Sequence, residues 1–435
     1  MRKFLLLTIS ILTMLTACSK YNDPFGNEEE KEEPIIDEPQ VAERTVLIYV
    51  AAENNLDVYL DFDLEEMKAG SSELGRGQNL VIYVNRADTS STPYMARVYR
   101  GNLVDKEFMP EAIAADPTVL SLVLSKTRER YPAKSYGLVL WGHCTGWVIS
   151  NNDYNSGTKS YGGSTGDNTN FYSGKYWMDF PDMADVISEA MEGDKLKFIF
   201  GDCCNFVSIE AAYELRNVTE YVIGSPAEIP DRGAPYHICV PDFFLADDGF
   251  YRQLIDHYYN YWLDVYAKEE KAYIYYNLEP GDLAGFSVPL SAIKTSELDD
   301  LATATSSLIA TISDKVHYGS LGLDTLMYYA YMSFCRYAYD MNLVFKRNAA
   351  SQDFMVWKSF YDKAVPYTVH SAEWLSDSRI LRRDMPDFVD IPSADCGSVG
   401  MFFPNSIYDD TGLNWNKAIR KYQWNNVIHW EQYGW

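Results

Sequence analysis

Two short polar clusters hold the residues best suited to chemistry. Gly142-His143-Cys144-Thr145-Gly146-Trp147 follows the apolar run Leu138–Trp141, and Gly201-Asp202-Cys203-Cys204 follows Phe198–Phe200. An imidazole brought beside a thiol can take its proton or hold a thiolate, which then attacks a carbonyl carbon. Apolar runs of this length read as buried parallel strands. Open α/β sheets place their sites beyond the C-terminal ends of such strands. His143 and Cys204 would therefore meet if the two strands are neighbours. Side chains alternate along an extended segment, so Asp202 and Cys204 would share one side and Cys203 would face the other, toward packing. A carboxylate on the thiol's side suits a Lys or Arg side chain of a substrate. The spacing is equally met by a buried Cys pair with a His closing a strand end, since free Cys often serves as a small core hydrophobe.

The elements needed to position these clusters are present. Thr45–Ala51, Leu80–Val84, Tyr136–Trp141, Leu196–Phe200 and Tyr221–Ile223 are short runs of β-formers. Between them, 54–67, 119–131, 183–192 and 208–216 carry apolar residues at helical spacing, and 97–100 fits part of a hairpin. Strands alternating with helices imply an α/β fold with a mostly parallel sheet covered on both faces. The C-terminal half is less regular. Helices are expected over 244–266 and 298–316, and strands over 285–290 and 398–403.

The 435 residues are 47% hydrophobic and 15% aromatic, enough for a large core. The net charge of −25 repels phosphate backbones and argues against nucleic acid as a partner. Arg2 and Lys3 precede the apolar run Phe4–Leu15, which is shorter than the ~20 residues of a spanning helix and reads as a signal peptide. It ends in Leu15-Thr16-Ala17-Cys18, similar to the lipobox after which Cys18 carries lipid. The expected organisation is a signal peptide (1–17), an acidic tether (18–43), a catalytic core (44–240) and a C-terminal region packed on it (241–435). Localisation at a bacterial outer membrane or cell surface follows. The other six cysteines (144, 203, 204, 239, 335 and 396) show neither a disulfide framework nor a zinc pattern.

From Arg44 onward the chain resembles the clostripain family of cysteine peptidases, whose core is a caspase-like three-layer α/β/α sandwich. The resemblance is carried by Thr45–Leu56 with Asp63–Met67, by Leu138–Trp147 and by Phe200–Cys204 running on to Glu210–Leu215. Ser225–Ile229 with Gly233–Tyr236 extends it, and it loosens in the C-terminal half. It implies an endopeptidase in which His143 is the general base and Cys204, counted back from Glu210, the nucleophile. Asp202 would lie at the floor of the S1 pocket and favour Arg or Lys before the scissile bond. Backbone N–H groups of Cys144 and Cys204 would hold the oxyanion. The family carries Gly where this chain has Cys144, and Ala at the place of Cys203. If the position after His143 needs a positive φ, Cys would adopt it only under strain. An inactive relative that binds peptides or glycans is the alternative.

Relatives are often cut between the His and Cys strands, and Lys159 and Lys175 are the candidate self-cleavage sites here. Residues 151–170 are rich in Gly, Ser, Asn and Asp. They fit either a calcium-binding loop or a plain surface loop, without the ligand spacing of an EF-hand. No cofactor is required by the motifs, and no metal site is expected. The remaining histidines (237, 257, 317, 370 and 429) lack ligand spacing. The Tyr-rich run 251–266 fits a core-facing helix better than a sugar-stacking surface.

Overall fold

The computed structural model describes residues 41–88, 90–148, 161–164, 176–268, 284–333, 335–371 and 396–435. Alternation along the central strands fixes the architecture. In β1 (Ala42–Ala52), Leu47, Tyr49 and Ala51 enter one core cluster, while Val46, Ile48, Val50 and Ala52 enter another. A strand apolar on both faces needs a layer on each side. The chain supplies these with α1 (Asp57–Gly70), β2 (Gln78–Arg86), the hairpin β3 (Tyr94–Tyr99) and β4 (Asn102–Phe108), α2 (Pro117–Arg130) and β5 (Ala133–Trp141). A short antiparallel pair, β6 (Tyr161–Ser164) and β7 (Tyr176–Met178), precedes α3 (Phe180–Ala190), β8 (Phe198–Asp202), α4 (Ile209–Leu215) and β9 (Tyr221–Gly224). Helix α5 (Tyr236–Asp242), helix α6 (Phe250–Lys268) and strand β10 (Leu290–Lys294) follow. Apolar residues of α2, α3 and α4 fill the first cluster, and those of α1, α5 and α6 the second.

Among the described residues the main sheet has nine strands. Strands β9, β8, β5, β1 and β2 are parallel neighbours in that order. Antiparallel β3 and β4 extend it beyond β2, and antiparallel β10 and then β13 (Tyr367–Val369) extend it beyond β9. This is the caspase-like three-layer α/β/α sandwich.

The rest of the chain comprises α7 (Leu298–Thr311), α8 (Ser313–His317), β11 (Tyr328–Met332), β12 (Cys335–Asp340), α9 (Met341–Asn348), α10 (Ser351–Ala364) and β14 (Gly400–Met401). Strands β11, β12 and β14 form a small second sheet.

Four sequence expectations shift, the simplest being the strand expected over 398–403, which shortens to β14 (Gly400–Met401). The helix expected over 244–266 starts at Phe250, because Asp247 Oδ1 accepts from Gly249 N–H at 2.9 Å and turns the chain there. The helix expected over 298–316 breaks at Ile312, within Thr311-Ile312-Ser313, three residues of modest helix propensity. The strand expected over 285–290 begins only at Leu290, where partners on β9 and β13 become available. Within the Tyr-rich helix, Tyr251, Tyr258, Trp262 and Tyr266 are buried, so that face is core. Among the described residues no helix is long and apolar enough to cross a membrane.

Candidate active site

Strands β5 and β8 are adjacent and parallel, with Trp141 paired to Asp202. His143 and Cys204 each lie two residues beyond that pair, in the loops that leave two neighbouring strand ends. The loops that carry them touch. A Cβ placed on Gly146 would meet Asn205 O at 2.9 Å, and Gly146 holds φ +70°. Only a residue without a side chain permits this approach, which keeps the two strand-end loops together.

The side-chain parity of β8 continues past its end. Cys203 is buried in the first core cluster, and Cys204 is half-buried against the second. Cys204 is thus the more accessible of the adjacent thiols. Its Sγ accepts from Ile229 N–H at 3.5 Å. Burial, followed by the charge of Glu228, pushes its pKa up, so the thiol is protonated at neutral pH. His143 is half-buried, and its Nε2 lies 2.8 Å from Asn55 Oδ1. An amide oxygen only accepts, so Nε2 carries the proton and Nδ1 is the basic nitrogen. The role of Asn55 was not legible in the sequence. It belongs to the turn between β1 and α1, and β1 is the other neighbour of β5.

Cys144 does not occupy a positive φ. The left-handed positions of this loop fall on glycines, Gly142 at φ +152° and Gly146 at φ +70°, so Cys144 carries no such strain. The loop is braced from the C-terminal half. Tyr337 of β12 donates its hydroxyl to Thr145 O at 3.1 Å, and Trp147 Nε1 donates to Tyr337 O at 3.3 Å. Trp147 also meets Phe402 and Trp415 edge-on.

Asp202 departs from the expected open carboxylate. It is 3% exposed, and its oxygens accept from Ala234 N–H at 2.8 Å, Tyr236 O–H at 2.7 Å and Tyr258 O–H at 3.4 Å. Gly233 lies directly over it, since a Cβ there would come within 2.5 Å of the carboxylate. Desolvation pushes Asp202 up to about 7, the three hydrogen bonds opposing it. Asp63 lies on the same side, bonded by Trp141 Nε1 at 2.8 Å, and burial plus the charge of Asp202 pushes it up to about 8. The acids whose charge acts on Cys204 are Glu228, half-buried, and Asp231, exposed and bonded by Tyr59 O–H at 3.0 Å.

The other candidates are dispersed. His237 pairs with Glu66 at 2.8 Å and His257 with Asp242 at 2.7 Å. Among the described residues no group of three or more His, Cys, Asp or Glu side chains could hold a metal ion. Lys159, Lys175, Cys18 and most of the loop 151–170 lie outside the described residues.

A parallel sheet presenting an imidazole and a thiol on adjacent strand ends is the framework of a caspase-like cysteine peptidase. The clostripain family profile matches residues 48–372, three quarters of the sequence, and the chain belongs to that family. No curated protein matches it. Among solved structures, a secreted C11 cysteine protease from Bacteroides thetaiotaomicron, in complex with an irreversible peptide inhibitor, is 25% identical. That likeness covers 90% of this chain and all of that one, with a TM-score of 0.69. An inactive zymogen C11 protease from Parabacteroides distasonis is 23% identical over 90% of this chain and 99% of that one, at 0.67, and shares the fold. The protein is a cysteine-type peptidase, and its substrates are proteins or peptides.

Proposed function

We propose that the protein is an endopeptidase in which His143 and Cys204 form the catalytic dyad and Asn55 orients the imidazole. The observation that carries this is the register of β5 and β8, which sets both residues two positions past the Trp141–Asp202 pair. In the resting state the thiol keeps its proton. Nδ1 of His143 takes that proton as sulfur attacks the scissile carbonyl, and the C=O π pair moves onto oxygen. Backbone N–H groups of Cys144 and Cys204 receive the oxyanion. Collapse expels the amine, which takes the proton back from His143 and leaves a thioester on Cys204. Water, deprotonated by His143, then attacks the thioester carbon; the C–S bond breaks, the acid is released and the Cys204 sulfur takes the proton back from His143.

A preference for Arg or Lys before the scissile bond rests on the acids around the thiol. The charges of Glu228 and Asp231 act on it, while Asp202 and Asp63 are buried and raised by desolvation to about 7 and about 8. A cationic side chain entering beside Asp202 would draw it into its ionised form. Export, with lipid on Cys18 and residues 18–43 as tether, is supported by the N-terminal sequence and by the secreted relative. Self-cleavage at Lys159 or Lys175 would place basic residues of this chain in the same pocket. The structure describes β6 and β7, which flank the segment between them.

The test uses purified protein and reporter peptides with Arg, Lys or neutral residues before the scissile bond. Hydrolysis is expected for the basic reporters, lost in Cys204→Ala and largely kept in Cys203→Ala. Full activity in Cys204→Ala would refute the assignment.

A further inference from the structure

Two buried thiols are the immediate chain neighbours of the proposed catalytic residues, and the peptidase reaction uses neither side chain. Cys144 follows His143 directly and Cys203 precedes Cys204 directly. Both are buried, at 3% and 1% exposure, and both belong to the same core cluster. Strands β5 and β8 pair up to Trp141 and Asp202, so Cys203 is one residue and Cys144 three residues past the last rung. The two loops then stay in contact, Gly146 lying against Asn205 O. Gly146 N–H also donates to Cys144 Sγ at 3.4 Å, which folds the Cys144 side chain back along its own loop. Burial pushes the Cys203 thiol well up, and the neighbour acting most strongly on it is Cys144.

We infer that Cys144 and Cys203 are a dithiol pair that closes to a disulfide under peroxide and thereby turns the peptidase off reversibly. The inhibitory part rests on the assignment of His143 and Cys204; the bond itself does not. In the first step peroxide's O–O bond breaks, a sulfenic acid forms on one sulfur, and the thiol proton leaves with hydroxide as water. The second thiol sulfur then attacks the sulfenic sulfur. The S–O bond breaks, the S–S bond forms, and the remaining thiol proton leaves in a second water. Two thiols and one peroxide thus yield one disulfide and two waters.

Closure has a mechanical consequence. An S–S bond of about 2.05 Å is well inside a non-bonded sulfur contact, and it constrains the Cβ–S–S–Cβ dihedral as well. Forming it draws the Cys144 loop toward the end of β8. The Cys144 N–H is the proposed oxyanion donor and the neighbouring His143 is the base. Displacements near 1 Å at such positions cost about a hundredfold in rate, so a loss of at least tenfold in kcat/KM is expected.

The experiment treats the reduced full chain with hydrogen peroxide. Remaining thiols are alkylated in denaturant, and the protein is digested without reduction for tandem mass mapping. The expected result is a Cys144–Cys203 cross-link with Cys204 alkylated, activity down at least tenfold, and recovery of activity with dithiothreitol. Cys203→Ala should form no such link and keep more than half its activity at the same dose. Recovery of both Cys144 and Cys203 as alkylated thiols at a dose that oxidises Cys204 would overturn the bond. So would a link that engages Cys204. A complete Cys144–Cys203 link with unchanged activity would overturn the switch. The mass result is independent of hydrolysis, so failure of the peptidase assignment and failure of the pair are read separately.

Discussion

Asn55→Ala tests how the imidazole is held. The side chain is exposed, and its Oδ1 takes one hydrogen bond from His143 Nε2 at 2.8 Å. That bond does two things. It keeps the proton on Nε2, leaving Nδ1 as base, and it holds the ring plane while positive charge builds on it during attack. Hydrogen bonds to charged groups contribute about 1.5–3 kcal/mol, and water competes at an exposed site. The low end, about 1.5 kcal/mol, corresponds to roughly a tenfold loss in kcat. Little change in melting temperature is expected, because an exposed side chain with one bond carries little of the fold. The assay is kcat and kcat/KM against pH with a basic reporter peptide. Asn55→Asp supplies the discriminating arm. It keeps an acceptor in place and adds a negative charge beside the ring, which raises the imidazolium pKa. Since the neutral imidazole is the base, the acidic limb of the profile should move to higher pH while kcat on the plateau largely recovers. An Asn55→Ala enzyme within twofold of the parent at every pH would refute the positioning role. An unmoved acidic limb in Asn55→Asp would do the same.

Three further outcomes are expected. Gly146→Ala puts a Cβ 2.9 Å from Asn205 O at φ +70° and should cost roughly 1–3 kcal/mol of stability and most of the activity, read by calorimetry and turnover; unchanged turnover would show that the contact between the loops is dispensable. Asp231→Asn should lower kcat/KM for Arg and Lys reporters a few-fold and leave neutral reporters alone, a small effect because the group is exposed and screened; an equal loss on neutral reporters would place Asp231 outside specificity. Glu210 is fully buried, and desolvation pushes it up to about 8, so the stability it contributes below about 4.5 is lost as pH rises toward 8. Glu210→Gln keeps an acceptor for Phe402 N–H, and its melting temperature relative to the parent should rise between pH 5 and pH 8.5, by the equivalent of roughly 4 kcal/mol; a difference independent of pH would refute the burial argument.

The catalytic half of the fold was legible because its signal is local. A strand buried on both faces must be a short uninterrupted apolar run, and β1, β5 and β8 are such runs. The polar clusters behind β5 and β8 then stand out by contrast, and parity separates Cys203 from Cys204 without any structure. Asn55 was hidden for a different reason. It is a polar residue in a turn, one of two adjacent asparagines, and only the placement of β1 beside β5 gives it a partner. One signal was available: it lies past the C-terminal end of a strand, at the same sheet edge as His143. Asp202 shows the opposite difficulty. The sequence fixes its side of the strand but not its cover, because Ala234, Tyr236 and Tyr258 come from 32, 34 and 56 positions away.

The C-terminal half resisted the same treatment because its strands β13 and β14 are only three and two residues long, too short to show a pattern in sequence. Its contribution to the site is nevertheless structural. Trp147 Nε1 donates to Tyr337 O across 190 positions of sequence and Tyr337 O–H donates to Thr145 O across 192, and these bonds brace the loop that carries His143. Strand β10 covers the edge of β9, and β13 covers β10. Removing residues 241–435 would expose β9, buried in the intact chain, as an unpaired edge and leave the His143 loop without its hydroxyl donor. The segment 44–240 carries the proposed catalytic residues, but the loop that holds His143 is braced from both halves of the chain.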